Sequence, residues 1–346
     1  MAVTERRVDE LVRRCHAGLD VGRLQAEVLR RLRQVVAVDA AFFATVDPVT
    51  LLFTSAVIEE PLAADTHRFL ENEVGGEDVN RFTSLGTGVD WVGTLDRATH
   101  GDRRTSARYA QILEPAGLGD ELRVALRARG RCWGVMCLHR EDAAAGFSDG
   151  EVRLVSALAP HVGEGLRLAV LAAASSIGGT PAPRGPGVIV VDEDLGVVTA
   201  NPAAHEWLAE LYDRPWSVGD ELPFPLRAAV AQAGREDVVG IRACTARGHW
   251  LTVHASRLHG SAGRHTALVL EASTPGDVGS LLLDAHGLTA AQRRVAALVL
   301  QGRSTRQIVN ELHISAYTVQ EHLRAVFDRF GVASRRELVA VVLVAR

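Results

Sequence analysis

Tyr317, Gln320, Glu321, Arg324 and Asp328 recur at the spacing of one face of a helix, and their chemistry is that of hydrogen bonding. A glutamine amide, a guanidinium and a carboxylate on one helical face have the donors and acceptors that read the edges of bases. Arg303, Arg306, Arg335 and Arg336 flank this face, where guanidinium groups would meet phosphate oxygens. Charge is distributed to match. Residues 286–346 hold nine arginines and four acidic residues, a net of +5, while the rest of the chain is −9. A basic end on an acidic body is a polyanion-binding pattern. A second set, Cys132, Cys137 and His139, has side chains that bind metals or undergo redox chemistry. On one straight strand Cys132 and Cys137 would face opposite sides, leaving Cys137 and His139 together with Trp133. Core packing and the lining of a pocket are both open readings for that face, with Trp91 a further candidate lining residue.

The elements that must position the first set are four short helices. Thr289 with Gln292, Ser304 with Gln307, and Ser334 with Glu337 have capping-box spacing. Ser315 opens the helix that carries Tyr317 to Asp328, and Gly302 and Gly331 are placed as helix ends. Val319, Leu323, Val326, Phe327 and Phe330 form its apolar stripe. The short turn at Leu312–Ser315 makes the pair before it a helix-turn-helix.

This stretch resembles the LuxR (GerE-type) DNA-binding domain. The pattern stands here as Leu288-Thr289, Gly302-x-Ser304, Ile308, Leu312-x-Ile314-Ser315, Thr318-Val319-x-x-His322 and Gly331-Val332-x-Ser334-Arg335-x-Glu337-Leu338. Gln292, Val309 and Gln320 depart from the family's usual residues. The resemblance implies an all-α unit over 287–346 that dimerises on double-stranded DNA. Its contact residues would be Ser315, Tyr317, Thr318, Gln320, Glu321, Arg324, Arg303, Arg306 and Arg335. The run from Leu338 to Ala345 is apolar on every side, so Leu338, Val341, Val342 and Ala345 are expected to meet a partner copy.

Earlier in the chain, residues 4–36 read as helices, and strands are expected at Ala41–Val46, Leu51–Ile58, Leu122–Arg127 and Cys132–His139. Residues 59–118 are mixed, with Gly75 to Asp78 read as a loop. Ser148 with Glu151 opens a long helix to about Ala174. Its seam, from Val152 through Val155, Ala159, Val162, Leu166 and Ala169 to Ala173, fits either a dimer helix or packing on the chain's own sheet. This order resembles a GAF domain over 1–174, which implies a small-molecule pocket. Residues 175–187 read as a Gly/Pro/Ser linker. The segment from Gly187 to Ala204 and a hairpin across His259–Arg264 resemble a PAS domain over 188–274. Residues 275–286 are expected to form a second linker.

All 38 basic residues are arginine. The absence of lysine excludes a P-loop ATPase and Schiff-base chemistry. There is no zinc-finger spacing and no interpretable catalytic cluster, so no enzyme, metal or cofactor is expected. No apolar run approaches the length of a membrane span. The expectation is a cytoplasmic, multidomain sensor and transcription regulator whose partners are DNA and a second copy, with RNA polymerase a further candidate. The alternative is an interaction scaffold whose helix-turn-helix no longer binds DNA.

Overall fold

The computed structural model describes residues 2–141, 146–175, 182–212, 214–217, 219–235, 239–259 and 264–344. Two amphipathic helices, α1 (Ala2–Cys15) and α2 (Val21–Leu32), lead into β1 (Ala40–Val46) and β2 (Phe53–Ile58). A helical segment follows, with α3 (Thr66–Gly75) and α4 (Phe82–Thr87). Then come β3 (Val92–Thr94), α5 (Leu95–Ala98), β4 (Asp120–Ala128), β5 (Arg131–Arg140) and the long α6 (Asp149–Ser175). The antiparallel sheet has the order β2-β1-β5-β4-β3. Both faces of its centre are covered, so β1 is buried at every residue rather than at alternate ones. One face packs Phe43, Leu122, Val124 and Leu138 against α1, α2 and α6. The other packs Phe42, Ala44 and Val135 under the segment between β2 and β4.

The second unit contains β6 (Gly187–Val191), β7 (Val197–Ala200), α7 (Pro202–Tyr212), α8 (Phe224–Ala233), β8 (Val239–Cys244), β9 (Trp250–Leu258) and β10 (His265–Ala272). Its sheet order, β7-β6-β10-β9-β8, repeats that of the first sheet. Asn201 caps α7 by accepting from Ala204 N at 2.9 Å, and Trp207 and Leu208 on that helix are fully buried.

Where a second linker is expected, the chain forms α9 (Pro275–Ala285). Thr274 and Asp277 make a capping box with Pro275 at the first turn. Gly279 looks like a linker residue in sequence. Its role is close approach, because a Cβ there would stand 2.8 Å from Val342 Cγ1. After α9 come α10 (Ala290–Leu300), α11 (Thr305–Leu312), α12 (Ala316–Phe330) and α13 (Arg335–Val339), the last running into a π-helical turn at Ala340–Val344.

The seam of α6 belongs to the chain's own core: Val155, Ala159, Val162, Leu166 and Ala169 are buried. Gly163 lets the helix lie directly on β4, since a Cβ there would meet the Arg127 backbone at 2.8 Å. Residues 149–174 are long and apolar enough to cross a membrane by length and composition, contrary to expectation, but half of the most apolar window is buried inside the protein. Of the first linker, residues 176–181 lie outside the described residues, as do residues 260–263 of the hairpin loop.

Candidate nucleic-acid interface and sensor cavity

The helix-turn-helix is held by local chemistry. Ser304 and Gln307 form a reciprocal capping box on α11. His313 ends that helix at φ 54°, and Ser315 opens the next by accepting from Thr318 N at 3.0 Å. Gly331, at φ 65°, closes α12. Val319, Leu323 and Val326 are buried with Ile308, Val295 and Leu338. This turns Tyr317, Gln320, Glu321, Arg324 and Asp328 outward, and Tyr317 is 75% exposed. Arg306 is exposed beside them. Arg303 is loosely paired with Glu311 at 3.9 Å. Arg335 and Gln320 are also engaged within the chain. Arg335 donates to Arg303 O and Thr305 Oγ1, each at 2.9 Å, and Gln320 Nε2 reaches Thr305 Oγ1 at 3.5 Å. Thr318 is half-buried, its hydroxyl 2.8 Å from Ser315 Oγ.

The expected partner surface on the last helix is largely occupied. Leu338 and Val342 are buried in the chain's own core, and α9 closes over Val342 at Gly279. Val341 alone among the described residues of that set is exposed, and Ala345 lies outside the described residues. Part of the apolar run expected to meet a partner is covered instead by α9, at residues where the sequence predicts a linker.

The expected pocket set is also redistributed. Leu126 pairs with Gly134 and Arg127 with Cys132, so Trp133 is the extra residue of a β-bulge. The bulge resets the alternation. Cys132 and Cys137 therefore share a face, and Trp133 points to the opposite one. Trp91 lies on a separate shallow groove with Val89 and Pro160. Only Cys137 and His139 remain together, at the buried face beneath α3 and α4 (Glu121 and Arg123 pair with them in register on β4).

There the structure builds an ionic network that sequence analysis missed. Glu121 Oε2 accepts from Arg108 Nη2 at 2.7 Å, and its Oε1 accepts from Arg123 Nε at 3.0 Å. Arg123 Nη1 reaches Glu73 Oε2 at 2.7 Å, and Asp78 accepts from Arg108 N at 2.7 Å. Arg123 also lies 4.3 Å from the centroid of the Phe82 ring. Burial acts to raise the Glu121 pKa, but Arg108 and Arg123 more than offset this and hold it well below the usual carboxylate range. Burial pushes the Cys137 thiol far up, so it is protonated. Burial also lowers His139 to about 4, against the opposing pull of Glu121, so its ring is neutral at physiological pH. Ligand-type atoms of Glu121, Cys137 and His139 lie within 4.8 Å of one another. They do not fit a cation: both carboxylate oxygens are taken by guanidinium groups, and the thiol is held neutral. The alternation Glu121-x-Arg123 within an apolar strand was the available sequence signal, since it places two charges on one inward face.

His139 Nδ1 and Arg123 Nη2 are buried without a hydrogen-bond partner. His139 and Glu121 line a small, mainly apolar cavity of about 10 Å³ with Phe42, Ile58, Leu62 and Phe69. Phe224 of α8 packs on Phe42 and Phe53 beside it, with ring centroids 5.7 and 5.3 Å apart. The second unit thus contributes to the packing around this cavity.

Residues 286–342 match the family model for bacterial regulatory proteins of the luxR family, and residues 20–166 match that of the GAF domain. The chain carries a GAF domain and a LuxR-family helix-turn-helix domain. Its similarity to the transcriptional regulator MalT of Yersinia pestis (strain Pestoides F) is 38% identity over 58 residues, 17% of this chain and 6% of that protein. The monoamine regulon transcriptional regulator of Klebsiella aerogenes is 42% identical over 53 residues, 15% of this chain and 23% of that one. The chain therefore spans less than a quarter of either relative. Among solved structures, the VqmA–ligand–DNA complex of Vibrio cholerae is 21% identical, covering 46% of this chain and 82% of that one at a TM-score of 0.23. The VqsR ligand-binding domain of Pseudomonas aeruginosa is 19% identical, covering 49% and 98% at 0.33. Scores this low carry no argument about this chain.

Proposed function

We propose that this chain is a sequence-specific DNA-binding transcription regulator. In this reading the GAF domain takes up a small molecule and the helix-turn-helix reads a major groove. The observation that carries the reading is the outward face of α12. Tyr317, Glu321 and Arg324 stand exposed on a capped second helix within a segment matching the luxR family. Gln320 and Arg335 would steer the two helices of the motif as well as meet DNA, through their shared partner Thr305. Residues 188–274 act as a PAS-like domain, a reading supported by the sheet order, and couple the cavity to the rest of the chain through Phe224. A second copy belongs to the proposal because one helix-turn-helix reads one half-site. Residence in the cytoplasm and contact with RNA polymerase follow from the same proposed role.

The test is binding of full-length protein to a pool of duplex DNA across a salt series. Wild type binds with a steep salt dependence. Arg324→Ala weakens binding, and loss of one phosphate contact lowers the salt slope by about 0.9. Glu321→Ala relaxes the preference at one base position, at about 1–3 kcal/mol on the preferred site. DNA binding unchanged by both substitutions removes α12 as the reading helix and favours the scaffold reading, to which the acidic Glu321 and Asp328 on the same face are suited.

A further inference from the structure

On the helical side of the GAF sheet, His16 at the end of α1 and His161 of α6 bring two imidazole rings together. His16 Nε2 lies 3.2 Å from His161 Nδ1, with the ring planes at 82°. His16 is exposed and His161 partly so, which leaves the pair open to solvent. The backbone fixes the meeting. Gly165, one turn after His161, admits the end of α1 so closely that a Cβ there would stand 2.6 Å from Cys15 O. The separation of the two rings is therefore set by the packing of two helices.

Two observations decide the chemistry. First, a tetrahedral zinc ion about 2.0–2.1 Å from each nitrogen needs the two about 3.3–3.4 Å apart, close to the 3.2 Å observed. Neutral imidazoles present both nitrogens as acceptors when their protons sit on His16 Nδ1 and His161 Nε2. Second, the surrounding charges permit a cation. The pair lies at the C-terminal end of α1, where the carbonyls of Arg13 and Arg14 accept from His16 N and Ala17 N at 3.2 Å, and the negative end of a helix favours a cation. The arginines nearby are matched: Arg13 pairs with Glu10, Arg14 with Glu27 at 3.0 Å and Arg167 with Glu164 at 2.6 Å. Both Glu164 oxygens accept from Arg167, so this carboxylate is a neighbour of the site and not a ligand.

We infer that His16 and His161 form a surface site for a divalent transition-metal ion of the zinc class, with water filling the remaining positions. Imidazole nitrogens select such ions over magnesium and calcium, which take oxygen ligands. With only two protein ligands the ion exchanges, and occupancy follows the free metal concentration. A bound ion ties α1 to α6. The site is also one contact from α9, because Glu164 holds Arg167, whose Nη1 donates to Ala285 O at 2.6 Å. It is a second input, on the opposite face of the sheet from the small cavity.

Zinc chloride is the probe, titrated calorimetrically into full-length protein freed of metal by a chelator. Wild type binds zinc at this site. Losing an outer partner of a metal ligand costs about 10–100-fold in affinity, so His16→Gln and His161→Gln, which each remove a ligand, weaken the tightest zinc binding by at least about tenfold. His254→Gln, at an exposed histidine beside Glu271, leaves that binding unchanged. Excess zinc raises the unfolding temperature of wild type more than that of either ligand variant. Failure of wild type to bind zinc, unchanged affinity in His16→Gln or His161→Gln, or loss of the same binding in His254→Gln overturns the assignment. None of these outcomes bears on DNA binding by α12, which the salt series reads separately.

Discussion

His139 makes the acid stability of the GAF sheet depend on one side chain. Its ring is fully buried in β5 beside Glu121, and burial, reinforced by Arg123 and Arg108, lowers its pKa from the ordinary 6.5 to about 4. A histidine with a depressed folded pKa costs stability as pH falls. Above the unfolded value both states are neutral and the group contributes nothing. Below it the unfolded chain takes up a proton that the folded chain refuses, and the loss continues until pH reaches the folded value. The full window is worth about 3 kcal/mol, of which about 2 kcal/mol is lost between about pH 7 and about pH 5. Hydrogen exchange read on peptides from β5, corrected for intrinsic rates at each pH, measures this locally in the intact chain. Wild type should lose about 2 kcal/mol of protection across that interval, and His139→Gln, which has no ionisable ring, should lose correspondingly less. Groups remote from His139, His286 among them, contribute alike in both proteins and cancel in the difference. An identical loss in the two proteins would falsify the reasoning, because it would mean that His139 is not the group refusing the proton.

Three further outcomes follow from particular contacts. Asp284 is almost fully buried between Arg131 of β5, at 2.9 Å, and Arg293 of α10, at 2.8 Å. Because both arginines are about a third exposed, Asp284→Ala should cost about 2–3 kcal/mol, below the full value of a buried pair, and limited proteolysis should then cut near α9 faster. Equal cutting rates would show that this junction does not seat the helix-turn-helix. Gly279→Val should clash with Val342 and destabilise the C-terminal helices by about 1–3 kcal/mol, read as a lower melting temperature, and an unchanged melt would place Val342 elsewhere. Ser315→Ala should remove the cap of α12 and cost about 1 kcal/mol in chemical denaturation, while Ser315→Asp keeps most of it.

The amino-acid sequence by itself determined the elements whose signals are local. A capping box needs only residues three apart, so the starts of α10, α11 and α6 were legible at Thr289, Ser304 and Ser148. The stripe of α12 needs only a period, and the same period named Tyr317, Glu321 and Arg324 as its outer face. Tertiary structure decided what depends on a neighbour distant in sequence. Whether the α6 seam served a partner or the chain's own sheet turned on the close approach of Gly163 to Arg127. Whether Val342 was free turned on α9, whose Gly279 reads as flexibility until the facing valine is known. The bulge at Trp133 inserted one residue between strands and reversed the inference that parity alone allowed for Cys132 and Cys137. The buried network was the least legible part. Glu73, Asp78 and Arg108 come from the stretch with the weakest periodicity, and they meet Glu121 and Arg123 only because the segment between β2 and β4 folds over the sheet. Capping and periodicity act within a few residues, so they survive in a string of letters, whereas charge pairing across ~50 residues exists only once the chain has closed the loop between them.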